Sequence, residues 1–346
     1  MNDTINEMAR QPAGALGAID RKAREAREEA LAPIATRALR TRGRAREEEP
    51  DPLRTEFQRD RDRILHSKAF RRLKHKTQVF INPEGDHFVT RMTHTLQVTQ
   101  IGRALAAALG LNEDLTEAIG LAHDCGHTPF GHTGEAALSD YITDGEWLHS
   151  EQGVRIFEVL EPRNLTREVL DGIRAHTWRV KPPPQTPEGW VVRFADRIAY
   201  LNHDLHDALR AGVIEVSDLP GEVVGELGRP DGGHWIRVMI EAVIEESIKR
   251  GRVAMSAPVL LAMGRFREFM FERVYLRPEA CAQADRARGV IHQLIDHHLA
   301  HPELVPDSYR IAEAPVLVQV LDYVAGMTDR YALNLHDRLF RPRGLV

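Results

Sequence analysis

Cysteine is nearly absent: the 346 residues contain two, Cys125 and Cys281. Two thiols cannot make a disulfide framework, and the opening stretch MNDTINEMARQPAG has no apolar core of the kind an export signal needs. The expectation is a chain of the reducing cytoplasm. Long apolar runs are missing too. None approaches the roughly 20 residues a membrane span requires, so no membrane partner is expected. Neither sign of charge dominates: 46 Lys and Arg against 51 Asp and Glu leave a net charge of −5, which does not suggest a dedicated polyanion binder. Internal repeats are also lacking. What is present is 42% hydrophobic residues, enough for one large core or one core with appendages. There are also seventeen histidines, whose placement matters more than their number.

Residues 1–51 differ from the rest. Arg37, Arg40, Arg42, Arg44 and Arg46 alternate with small residues, and EEEP follows. The apolar content is too low to fold alone, which predicts a flexible or partner-dependent charged arm. From about residue 52 to the end the pattern is that of one mainly helical, all-α domain. Val98, Ile101, Leu105 and Ala108 recur at helical spacing, as do Phe194, Ile198, Leu201, Leu205 and Ala208. Further helices are expected over 113–123, 148–160, 236–249, 258–274, 280–299 and 315–339. Stops fall at Gly110, TPFG, KPPPQTPEG and HPELVP. QVFI and HFVT flank NPEGD and read as one small β-hairpin.

The densest chemistry lies in HDCGHTPFGHTGE, residues 123–135: three histidines, two acids and three glycines in thirteen residues. His123 and Asp124 are adjacent at the end of an apolar helix. A helix body would point them apart, but at a helix end the backbone can turn both towards one ion. Two more ligands must then come from elsewhere. His94 shares a face with Val98 and Ile101 and points inward. Asp196 lies opposite the apolar stripe of its helix, with Tyr200 and Asp204. Two imidazoles and two carboxylates suit a borderline-to-hard divalent ion: manganese, iron, cobalt, nickel or magnesium. Such an ion activates water and neutralises charge on phosphorus. His132 and Glu135, at i and i+3, share one helical face, and a carboxylate there orients the imidazole for general acid–base work. His127 sits in the intervening turn. Arg91, one turn before His94, and Arg197, next to Asp196, are candidate phosphate ligands. The basic stretch RTEFQRDRDRILHSKAFRRLKHKTQVF reads as partly buried against the same pocket.

Taken together, RDRDRILHSKAFRRLKHKTQVF, RMTHTLQVTQIGRALA, LNEDLTEAIGLAHDCGHTPFGHTGE, LHSEQGVRIFEVLE, ADRIAYLNHDLHDALRAG and DYVAGMTDRYA resemble the deoxynucleoside triphosphate triphosphohydrolases, the dGTPase-like branch of the HD superfamily. The resemblance runs from about Arg54 to Phe340. It implies an HD-domain helical fold and hydrolysis of a dNTP to deoxynucleoside and inorganic triphosphate. It implies a metal on His94, His123, Asp124 and Asp196, and a catalytic dyad of His132 and Glu135. His127 and His149 would lie near the phosphates with Arg91 and Arg197 as clamps. Tyr200, Asp204 and Gln78 would lie near the sugar. It further implies a homo-oligomer, tetramer or hexamer, with a nucleotide or single-stranded DNA as effector in some members. The chain departs from the pattern at His206, where an acid is expected, and at Ser150, where Asn is expected. Two other readings stay open: another HD hydrolase, such as a nucleotidase or alarmone hydrolase, and a nucleic-acid-binding or allosteric protein with a residual metal site, whose footprint would be the basic arm.

Overall fold

The computed structural model describes residues 17–79, 88–231 and 233–342. They form fifteen α-helices: α1 Arg21–Arg27, α2 Glu56–Leu65, α3 Lys68–Arg72, α4 Arg91–Ala108, α5 Glu113–Ala122, α6 His132–Ser139, α7 His149–Arg155, α8 Arg167–Ala175, α9 Pro187–Arg210, α10 Gly221–Leu227, α11 His234–Arg250, α12 Ala257–Met270, α13 Pro278–Ala300, α14 Val316–Ala325 and α15 Asp329–Phe340. The all-α fold expected from the periodicity is the fold found. Among the described residues there is no sheet, only the isolated antiparallel bridges Arg44–Thr166 and Thr77–Thr90. The expected hairpin turn lies outside the described residues, and the Thr77–Thr90 bridge joins described residues on either side of it. No described helix is long and apolar enough to cross a membrane.

Side-chain caps set the starts of the helices that carry the candidate site. Thr90 and Thr93 form a capping box on α4, the Asn112 side chain accepts from Leu115 N at the start of α5, and Thr186 caps α9 ahead of Pro187. Helices α4, α5 and α9 pack on one another through Val98, Ile101, Leu105, Leu115, Ile119, Val191, Phe194 and Ile198, all buried. Each large side chain so buried contributes on the order of 1.5–3 kcal/mol. A second core joins α13, α14 and α6 through Ile291, Leu294, Val320, Val324, Leu138 and Phe130. The HD-bearing turn runs between these two cores.

The structure corrects three expectations. Residues from Asp20 onward are not a free arm, because their polar groups find partners on the body. Thr36 N and Oγ1 donate to Glu188 at 3.0 and 2.7 Å, Asn112 donates to Glu28 Oε1 at 3.0 Å, and Arg44 pairs with Asp60 and Glu56. Most of the basic stretch over 54–76 turns away from a pocket: Arg59 and Arg63 meet Glu48, Arg61 meets Asp114 and Arg72 donates to Tyr309 OH, and it is Lys76 that reaches the site, at His127 O. The helix expected over 315–339 is two helices. It breaks at Gly326, and Thr328 caps the second by accepting from Tyr331 N at 3.2 Å.

Candidate metal centre and acid–base site

Helix α5 ends at Ala122, and the chain turns at His123. The turn brings the adjacent pair to one point, as a helix body could not. His123 Nε2 stands 3.4 Å from His94 Nε2 and 3.9 Å from Asp196 Oδ1, while His94 Nε2 lies 3.2 Å from Asp196 Oδ1. Asp124 faces both rings, at 3.6 Å from His123 Nε2 and 3.7 Å from His94 Nε2. Three helices, α4, α5 and α9, thus deliver four donors to one place.

The outer nitrogens of both rings are already engaged. His123 Nδ1 donates to Gly120 O at 2.7 Å, which leaves the Nε2 lone pair facing the site. His94 Nδ1 meets His203 Nε2 at 2.8 Å, His203 Nδ1 lies 2.9 Å from Asp204 Oδ1, and Tyr275 OH donates to Asp204 Oδ2. Partners of this kind fix ring orientation and tautomer in metal centres. Burial, the largest influence on His94, holds it below its usual value and so keeps it neutral, the form that ligates. Burial opposes ionisation of Asp124 and Asp196 as well, but Arg91 and the histidines around Asp124, and His94, His123 and His176 around Asp196, outweigh it, and both carboxyls fall below the usual range. The donor set therefore fits a divalent cation: two imidazoles and two ionised carboxylates.

Beside this set lies a second group. Glu135 Oε2 is 2.6 Å from His132 Nδ1, and its Oε1 accepts from both the backbone N–H and Nδ1 of His149, each at 2.8 Å. Burial raises the Glu135 carboxyl and the three histidines around it lower it further than that, so it stays ionised. Burial depresses His149, but the Glu135 charge outweighs it and lifts the ring above its ordinary value. His127 stacks on His149 with ring centroids 3.9 Å apart, and its Nε2 lies 3.6 Å from Asp124 Oδ1. It bridges the two groups. Burial, reinforced by Arg91, holds it well below its usual value. His132 is the exposed member, with 73% of its side chain open to solvent. Arg91 reaches between the groups, donating to Asp124 Oδ2 at 2.7 Å.

The remaining expected residues sit further out. Arg197 stacks on the Trp178 ring, 4.3 Å from its centroid. Tyr200 lies near it on α9 and is half-buried. Asp204 is buried, with its carboxylate turned to His203 and Tyr275. Gln78 is half-buried with its Oε1 unpartnered among the described residues. Residue reasoning missed His176 and His203. His176 Nε2 lies 3.1 Å from His149 Nε2, and the atoms of Asp124, His149 and His176 come within 4.8 Å of one another. The signal for His203 was available: it follows Asp196 by seven residues on α9, two helical turns, and so shares its face.

Comparison with known proteins identifies the segments that carry these residues. Residues 91–201 match the HD domain, and residues 253–338 match the phosphohydrolase-associated domain. A deoxyguanosinetriphosphate triphosphohydrolase-like protein of Caldanaerobacter subterraneus subsp. tengcongensis is 49% identical, covering 90% of this chain and 93% of the relative. Proteins of the same description from Clostridium tetani and Clostridium perfringens are 41% and 43% identical, covering 91% and 87% of this chain and 94% and 91% of the relatives. At that identity over nearly the whole of each chain, the protein belongs to the deoxyguanosinetriphosphate triphosphohydrolase-like family of HD-domain phosphohydrolases.

Proposed function

We propose that this phosphohydrolase cleaves deoxynucleoside triphosphates to deoxynucleoside and inorganic triphosphate, with a divalent cation held by His94, His123, Asp124 and Asp196. The observation that carries the proposal is the adjacency of two differently built groups: a four-donor cation set, and a Glu135 carboxylate shared by His132 and His149, with His127 and Arg91 between them. When bound, manganese, iron, cobalt, nickel or magnesium at the first group supplies Lewis-acid activation of water and of a phosphoryl oxygen.

The chain's own residues do the rest. Arg91, His127 and His149 bind the phosphates, and Arg197 holds the outer end of the triphosphate. Tyr200 and Gln78 orient the sugar, while Asp204 steadies His203 behind His94. Water attacks the α-phosphorus in line, and the bond from that phosphorus to the 5′-oxygen breaks. His132, held at Nδ1 by Glu135, gives its Nε2 proton to the departing oxygen. General acid–base groups of this kind contribute roughly 2–4 decades of rate.

The same reading places the enzyme in the cytoplasm as a homo-oligomer, tetramer or hexamer, that a second nucleotide or single-stranded DNA can activate. The exposed Val316, Tyr331, Leu339 and Phe340 on the C-terminal helices support assembly. The test is turnover of the four dNTPs, singly and in mixtures, with manganese and with magnesium. Release of triphosphate supports the proposal. Release of monophosphate or pyrophosphate as first product moves the assignment to another HD hydrolase. Salt-dependent DNA binding with no turnover removes it.

A further inference from the structure

The acid–base group says nothing about DYVAGMTDRYA, near the other end of the chain. In the fold that segment reaches back to the catalytic turn. Asp329 opens α15, and its carboxylate is buried. Oδ1 accepts from Phe130 N at 2.9 Å, and Oδ2 accepts from Thr77 N at 2.9 Å and from Thr77 Oγ1. A second link runs in parallel. Lys76 Nζ, fully enclosed, donates to His127 O and to Ala325 O, the last residue of α14.

Both links end on the turn that launches His132. Phe130 has φ +60°, a conformation a bulky side chain rarely adopts, and Gly131 follows at +58°. Such backbone persists only where its surroundings hold it. Here the Phe130 ring is sunk in the second core, and its amide is tied to Asp329. At Gly131 a Cβ would stand 2.9 Å from Arg91 Nη2, the end of a side chain that is itself held on Asp124. His132 is the next residue and begins α6.

We infer that Asp329 is a positioning residue: the C-terminal helices clamp the Phe130–Gly131 turn through its carboxylate and thereby aim His132 at its target. Without the clamp the turn relaxes towards ordinary dihedrals, and the ring that follows it swings. The inference rests on the acid–base role proposed for His132, and its test has one arm that does not.

The independent arm is amide hydrogen exchange. In Asp329→Asn the Phe130 amide loses a charged acceptor, and its exchange should quicken about 10- to 100-fold while α4 and α5 amides keep their rates. Unchanged Phe130 exchange overturns the clamp whatever the enzyme does. The kinetic arm is a double-mutant comparison on metal-loaded protein with a dNTP. Asp329→Ala in the wild-type background should lower kcat about 10²-fold with metal content unchanged and KM within roughly threefold. In the His132→Ala background the same change should lower kcat hardly further, because the group it aims is gone. Equal losses in both backgrounds show a general structural role and overturn the inference. Should Asp329→Ala fail to fold, Asp329→Asn carries the kinetic arm with a smaller loss and the same non-additivity. A wild type with no hydrolysis of any dNTP would sink the functional reading, while the exchange arm would still decide the clamp.

Discussion

Gly126 separates the two halves of the site, and it can be tested with a single methyl group. A Cβ at this position would stand 2.0 Å from His149 O, 2.4 Å from Gly153 N and 2.9 Å from Gly153 Cα. All three are backbone atoms of α7, so no side chain can rotate away. Relief requires the HD turn and α7 to part by more than about 1 Å, and overpacking of this kind costs about 1–3 kcal/mol. The turn carries His123 and Asp124; α7 carries His149, through which Glu135 is held. A misplacement of ~1 Å between catalytic groups costs about 10² in rate. Gly126→Ala should therefore fold with a lowered Tm and lose about 10²-fold in kcat. Gly264→Ala and Gly289→Ala are the controls, since a Cβ at either meets nothing within 4 Å on α12 or α13. They should raise stability by about 0.5–1 kcal/mol and leave kcat alone. Calorimetry and steady-state kinetics on the three variants decide the matter. A folded Gly126→Ala with wild-type kcat would refute the reasoning that the two halves must keep their spacing.

Three other outcomes follow from the same structure. Asp196→Ala should leave a folded protein that retains little metal by elemental analysis and little activity; full activity of the wild type after exhaustive chelation would contradict the metal assignment. Burial, with Arg72 next in weight, pushes Lys76 down to about 7 from 10.5, so between those values the unfolded chain holds a proton that the folded chain does not. Stability should accordingly rise with pH across that window, at up to about 1.4 kcal/mol per unit. Urea unfolding of wild type and Lys76→Met over about pH 6–10 checks this, since the rise attributable to Lys76 should vanish in the variant. Arg44→Ala leaves the buried Asp60 carboxylate with only Thr166 as partner among the described residues. It should cost about 3 kcal/mol, near the low end for breaking a buried pair, and loosen the 20–50 segment to proteolysis.

The parts of the site that were legible in the sequence share one property: short-range periodicity reports them. His94 lies on the inward face of α4 because Val98 and Ile101 do, and the His132–Glu135 spacing on α6 is a helical contact by construction. The all-α fold was legible for the same reason. The 20–50 segment was not. It is held by polar pairs across 76 to 152 residues, such as Asn112 with Thr36 and Thr36 with Glu188, and composition cannot see partners at that distance. The break at Gly326 was hidden because the apolar pattern continues across it, while the Thr328 cap that restarts the helix is one hydroxyl. Asp204 was read from the resemblance as a sugar contact; in the fold its carboxylate is turned to His203 and Tyr275, the latter a contact between α9 and the end of the α12 segment. His176 reaches His149 only through the packing of α8 on α7, which no local pattern announces.

As proposed, water attacks the α-phosphorus while His132 serves the departing 5′-oxygen. Hydrolysis of a dNTP in oxygen-18 water, with products resolved by mass spectrometry, tests it most directly. One heavy oxygen is expected in intact inorganic triphosphate and none in the deoxynucleoside. Heavy oxygen in the deoxynucleoside, or a deoxynucleoside mono- or diphosphate as the first labelled product, would contradict it.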